Sequence, residues 1–214
     1  MGTVERRERE KLELRTKILD AARELLVNEG YEAVSMRKIA KKIEYSPTAI
    51  YFHFKDKESL VRELCESDFM TLALEFKHLL TIEDPMKRLR LGGLAYVEFA
   101  RRFPNHYRLM FMTPLPVEKH GDEALQRRGN PEVDAYAFLR VGVALASEAG
   151  LLRPELQNDV DLVAQTLWAG LHGVVSLHIA KCNKDDWVDW RPLERRVEHM
   201  IDALMHGLAR QDVG

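Results

Sequence analysis

Between Ser35 and Leu60 the chain reads SMRKIAKKIEYSPTAIYFHFKDKESL, a stretch that leaves little freedom for its fold. Two short helical patterns are joined by a tight polar turn, and a third helix follows with its own start signal. Ser35 can cap a first helix whose Ile39, Ala40 and Ile43 share an apolar face. Ser46-Pro47 opens a second, because the hydroxyl accepts a free backbone N–H and proline sits where its missing N–H costs nothing. That helix turns Ile50 and Phe54 to one side and shows Thr48, Ala49, Phe52 and His53 on the other. Asp56 caps the third helix, with Glu58 in its first turn. Two helices across so short a turn, the second with small and polar residues outward, have the form of a helix-turn-helix reader of DNA.

The surrounding segment, ILDAARELLVNEGYEAVSMRKIAKKIEYSPTAIYFHFKDKESL, resembles the amino-terminal domain of the TetR/AcrR family of one-component bacterial regulators. The matching positions are Ile18, Ala21, Ala22, Leu25, Gly30, Tyr31, Ser35, Arg37, Ile39, Ala40, Ser46, Tyr51, Phe54, Lys57, Glu58 and Leu60, and the likeness covers residues 14 to 62. Glu44 stands where the family usually has a turn glycine, so the turn must be made without a residue that enters positive φ easily. The resemblance implies backbone-phosphate contacts from Ser35, Arg37, Tyr51, His53 and Lys57, with Ser46 in the same DNA-facing set. It implies base contacts from Pro47, Thr48, Ala49 and Phe52, where the Thr48 hydroxyl can donate or accept and its methyl can meet a thymine methyl. Tyr51 alone would also suit a half-buried packing role, and His53 a solvated one.

Charge supports a phosphate-facing surface only locally. The whole chain has a formal net charge of −2, but residues 33–58 hold six basic side chains against three acidic ones. Cys65 and Cys182 lie far apart and form no CxxC pair, which argues against a disulfide framework or a structural zinc site. The amino-terminal MGTVERRERE lacks the apolar stretch of a signal peptide, and Arg6 occupies the position where myristoylation needs Ser or Thr. No run approaches the ~18 consecutive apolar residues of a membrane span. The expected setting is the cytoplasm, with no membrane, metal or cofactor.

Helical periodicity runs nearly throughout, and the expected fold is all-α with about nine helices. Three parts follow: a charged arm over 1–14, a helix-turn-helix DNA-binding domain over 15–62, and an effector-binding and dimerisation domain over 63–214. The arm suits either a solvated extension of the first helix or a set of arginines, Arg6, Arg7 and Arg9, approaching DNA. Gly30 is placed to end the first helix. A connector helix should run from Lys57 to near Leu80, and further helices over Pro85–Phe103, Asn105–Met112, Pro131–Glu148, Asp159–Lys181 and Pro192–Arg210. Pro114–Asn130 is the only long polar loop.

In the carboxyl-terminal part, Phe99, Phe103, Tyr107, Met110 and Phe111 can gather near a helix bearing Trp168 and His172. Such a set suits a pocket for a largely apolar small molecule, although residues of these types at helical spacing also simply fill cores. Trp168, Gly170, His172 and Gly173 resemble the Trp-x-Gly-x-His-Gly signature of one TetR-type subgroup. The apolar stripes of the last two helices suit a homodimer, and a dimer on a palindromic double-stranded operator is the usual remedy for the small surface of one recognition helix. An enzyme is not expected: only one Glu-x-x-His pair, Glu75–His78, is present, with no HExxH, nucleophile elbow or phosphate-binding glycine loop. The expected function is a ligand-released repressor. A non-sensing DNA-binding protein and an activator of the same family are the alternatives.

Overall fold

The computed structural model describes residues 3–115, 122–182 and 186–210. Ten α-helices are present among them: α1 (Thr3–Glu29), α2 (Met36–Lys42), α3 (Pro47–His53), α4 (Lys57–Lys77), α5 (Pro85–Arg102), α6 (Pro104–Met112), α7 (Asp122–Arg127), α8 (Ala135–Glu148), α9 (Val160–Lys181) and α10 (Leu193–Leu208). No β-strand occurs among the described residues, only an isolated bridge between Leu152 and Ala209. The all-α expectation holds. The tenth helix is α7, which lies inside the stretch expected to be a loop. The charged arm continues α1 without a break as far back as Thr3, with Arg6–Glu10 and Arg9–Glu13 ion pairs along it.

Side-chain caps set most of the boundaries. Ser35 accepts from Lys38 N and Ser46 from Ala49 N, so the backbone enters α2 and α3 at the expected residues. Asp56 accepts from Ser59 N at 2.7 Å, and Ser59 Oγ bonds back to the Asp56 backbone, a reciprocal cap at the start of α4. Asp84, Asp134 and Asp159 cap α5, α8 and α9 in the same way. The Asp134 cap explains why α8 begins at Ala135 and not at Pro131. α1 ends at Gly30, whose φ is +80° and whose N–H donates to Leu26 O.

The chain forms two compact units: Met1–Asp68 with Asn105–Leu125, and Phe69–Pro104 with Gln126–Gly214. The first unit is built on Ile18, Ala22, Leu26, Ile39, Ile50, Leu60, Val61 and Leu64, which leave no measurable surface, and Leu109 of α6 belongs to the same core. Arg23 of α1 is buried there and grips the fully buried Asp68 with two bonds, Nε–Oδ2 at 3.0 Å and Nη2–Oδ1 at 2.7 Å. His106 Nδ1 lies 3.0 Å from the same Asp68 Oδ1. Burial pushes the nearby Cys65 thiol up to about 12, with the Asp68 and Glu66 charges adding to it.

The second unit packs α5, α8, α9 and α10 around Leu89, Val143, Ala146, Leu152, Val163, Ala164, Leu167 and Leu208. Phe76 stacks on Phe138 with ring centres 4.8 Å apart. Gly170 allows α10 to come close, since a Cβ there would lie 2.7 Å from Leu204 Cδ1. By length and composition α9 could cross a membrane, but Val163, Ala164, Leu167, Leu171, Val174 and Val175 are buried within the unit, as in a core helix.

Candidate nucleic-acid interface

α3 is two turns long, and its inward side is fixed by Ile50 and, just past its end, Phe54, both buried. Its outward side carries Thr48, Tyr51 and Phe52. Phe52 is 76% exposed and Tyr51 53%, unusual for side chains with so much apolar surface to hide. Of the ten residues expected at DNA, Ser35, Arg37, Ser46, Pro47, Thr48, Tyr51 and Phe52 are exposed, whereas Ala49, His53 and Lys57 are half-buried. The Ser35 and Ser46 oxygens accept the capping bonds, which leaves each hydroxyl proton available to an outside acceptor.

Lys57 is turned inward. Its ammonium donates to Tyr31 O at 2.9 Å and Val34 O at 3.0 Å and lies 3.8 Å from the centre of the Tyr31 ring. It thus ties the start of α4 to the segment between α1 and α2, with one N–H left over. His53 is held below its ordinary value, first by burial and then by the positive charges of Arg15 and Lys11, so it is a neutral imidazole near pH 7.

The turn between α2 and α3 resolves the Glu44 question. Glu44 itself takes φ +62°, the one non-glycine residue at positive φ among those described. Tyr45 N–H donates to Ala40 O and Glu44 N–H to Lys41 O, so the turn keeps its bonds at the cost of left-handed backbone.

Charge on this face is unevenly free. Lys38 pairs with Glu29 and Lys42 with Glu24. Arg37 and Lys41 are exposed and have no carboxylate partner among the described residues. Lys41 and the exposed Tyr45 were not among the expected contacts. Both lie beside the turn, and only the fold reveals which lysines are already paired.

The seven residues expected at a ligand are divided between the units. Phe99, Phe103, Trp168 and His172 belong to the second, where Phe99 and Phe103 have ring centres 5.5 Å apart. Trp168 Nε1 donates to Tyr96 Oη at 3.2 Å, and Tyr96 Oη lies 3.3 Å from His172 Nδ1. With Trp168 donating to it, the Tyr96 hydroxyl keeps its own proton to donate, and His172 Nδ1 lies within its reach. Burial lowers the His172 value, consistent with a neutral ring. Tyr107, Met110 and Phe111 belong to the first unit, where Tyr107 is fully buried and its ring centre lies 4.9 Å from that of Phe111.

Comparisons with known proteins agree with this architecture. Residues 18–64 match the model of bacterial regulatory proteins of the tetR family, and residues 89–210 match the tetracyclin repressor-like carboxyl-terminal domain. The transcriptional regulator UidR of Escherichia coli K12 is 41% identical over 54 residues, 25% of this chain and 28% of UidR. The chain therefore matches little more than a quarter of the length of that relative. QacR of Staphylococcus aureus is 26% identical over 170 residues, 77% of this chain and 86% of QacR. The structure of a TetR family transcription regulator from Marinobacter aquaeolei VT8 superposes with a TM-score of 0.70 at 18% identity, covering 97% of this chain and all of that one. A helix-turn-helix whose second helix keeps one face exposed, followed by a helical carboxyl-terminal region that matches its own family model, makes this chain a member of the TetR family of transcriptional regulators, a family of DNA-binding proteins and not of enzymes.

Proposed function

We propose that the protein is a homodimeric repressor that occupies a palindromic operator and is released by a small, largely apolar effector. The exposed Thr48–Tyr51–Phe52 face of α3, with Ile50 and Phe54 locked in the core behind it, carries this reading. Thr48, Ala49, Pro47 and Phe52 read base edges, with apolar contact to thymine methyls as the main term. Ser35, Arg37, Ser46 and Tyr51 hold phosphates, joined by Lys41. His53 contributes through a neutral N–H. Lys57 acts mainly as a strut, with its remaining N–H available to a phosphate.

Dimerisation through α9 and α10 is supported by what α9 leaves uncovered. Leu162 and Leu177 are exposed, and a Cβ at Gly173 would meet nothing within 4 Å. A bare glycine between exposed leucines suits close approach of a second copy. In the second unit Phe99, Phe103, Trp168 and His172 are the effector contacts, and the Tyr96 hydroxyl between Trp168 and His172 supplies a polar handle. An effector releases DNA only by binding two arrangements of the protein unequally. Repression requires no more than occlusion of a promoter by the bound dimer, in a protein expected to work in the cytoplasm.

Selection of bound sequences from a random duplex pool at moderate salt tests the reading. A recovered palindrome, whose complex is then dissociated by members of an apolar small-molecule panel, is the expected result. Sequence-independent binding that collapses as salt rises would overturn it.

A further inference from the structure

We infer that Arg15, a residue of α1 outside the recognition helix, is a positioning residue that fixes the roll of α3 and through it the choice of DNA sequence. The inference rests on the reading of α3 as the recognition helix. A helix of seven residues is about 10 Å long. Ile50 is its one buried residue, and Phe54 pins the chain just beyond it. These anchors lie four residues apart on one face, so the line they define runs along the helix, and a short helix can still roll about that line. A third point, off that line, is needed to hold it.

Arg15 supplies that point. Its Nη1 donates to the carbonyl of His53, the last residue of α3, at 3.2 Å. That oxygen is one of the terminal carbonyls a helix leaves without an internal partner, and a cation there also suits the helix dipole. The guanidinium is held in place from two sides. Glu63 of α4 takes it in a two-pronged pair, Nε to Oε1 at 2.8 Å and Nη2 to Oε2. The Phe54 ring lies under it, 4.4 Å from the guanidinium carbon to the ring centre. One planar group therefore joins α1, the end of α3 and α4. A lysine could not do this, since it lacks the fork that serves a carboxylate and a carbonyl in the same plane.

The lever is sensitive. Rolling a helix about 10 Å across by about 10° moves its outward face by about 2 Å. That exceeds the tolerance of a hydrogen bond or methyl contact at a base edge. Phosphate contacts through long, flexible side chains follow such a shift far more easily.

The test uses the full-length protein, its selected operator and a scrambled duplex of the same length, with wild type, Arg15→Lys, Arg15→Gln and Glu63→Gln. Affinity for both duplexes is titrated across salt, and the thermal midpoint of each variant is recorded. Loss of the clamp should lower operator affinity about tenfold, the cost of roughly one mismatched base pair. Binding to the scrambled duplex and its salt slope should stay within about twofold of wild type, because the Arg15 guanidinium is already paired with Glu63. Equal loss on both duplexes with a lowered midpoint would reduce Arg15 to a stability residue and overturn the inference. A salt slope flatter by about 0.9 would make it a phosphate ligand and overturn it equally. Wild-type protein that does not distinguish the two duplexes would refute the reading of α3 itself, before any variant is compared.

Discussion

Asp68→Ala is the most demanding test of the first unit. Asp68 is fully buried and accepts both arms of Arg23, which is itself 7% exposed, and His106 Nδ1 lies 3.0 Å from the same carboxylate. Truncation leaves the guanidinium in the core with Asp20, 2.6 Å from Nη1 and itself exposed, as its remaining carboxylate. Breaking a buried pair from one side costs about 3–5 kcal/mol, and the surviving Asp20 contact places the expected loss near the lower figure. With a urea slope of about 2–3 kcal/mol/M for a chain of this size, the midpoint should fall by about 1–1.5 M. Far-UV circular dichroism at fixed protein concentration is the right probe, because Trp168, Trp187 and Trp190 all belong to the second unit. The double variant Arg23→Met/Asp68→Leu removes the stranded charge along with its partner, and should recover most of the loss. A midpoint shift below about 0.3 M for Asp68→Ala, or a double variant no better than the single, would refute the argument that an uncompensated buried charge sets the cost.

Glu44→Gly relieves a left-handed residue at φ +62° and should stabilise the protein by about 0.5–1 kcal/mol despite the added freedom of the unfolded chain, whereas Glu44→Val should destabilise it. Gly170→Val drives a branched side chain toward Leu204 and should cost about 1–3 kcal/mol in thermal unfolding, while Gly173→Arg should leave the fold intact and convert a sedimenting dimer to a monomer. His53, His172 and His178 are all held below the ordinary histidine value, chiefly by burial, so the unfolded chain takes up protons more readily. Their stabilising contribution is complete above about pH 6.5 and declines as pH falls through it; the thermal midpoint should therefore drop between pH 7.5 and 5.5, and His172→Asn should flatten that drop. Thr48→Ala should change the preference among operator variants while Arg37→Ala weakens every duplex and flattens the salt slope by about 0.9; a uniform effect from Thr48 would remove it from the base-reading set.

What could be read from the sequence was what is decided locally. Ser35, Ser46-Pro47, Asp56 and Gly30 act on backbone groups within about four residues, so helix starts and stops were visible before any tertiary contact was known. Side chains that act across the fold were not. Lys57 carries the look of a phosphate ligand, yet its ammonium reaches carbonyls 26 and 23 residues earlier in the chain. Arg15 gave no signal at all, because its partners His53 and Glu63 lie 38 and 48 residues away. Lysine pairing followed the same rule: Lys38 and Lys42 are neutralised by α1, and no spacing pattern in the sequence announces it. The short α7 was hidden by its polar composition and by a length too small for periodicity to register.

The first unit is discontinuous in the chain: it closes only when α6 brings Leu109 into a core otherwise made from residues 18–64. A gene fragment ending at Asp68 would encode every residue expected at DNA and still leave that core without Leu109 and Asp68 without His106. During synthesis the reading head must wait for roughly forty further residues, most of them the Phe69–Pro104 stretch of the other unit, before it can complete. Exchanging heads between family members by cutting after the helix-turn-helix would for the same reason join mismatched surfaces. A graft that carries α6 along with α1 to α4 is the one this architecture favours.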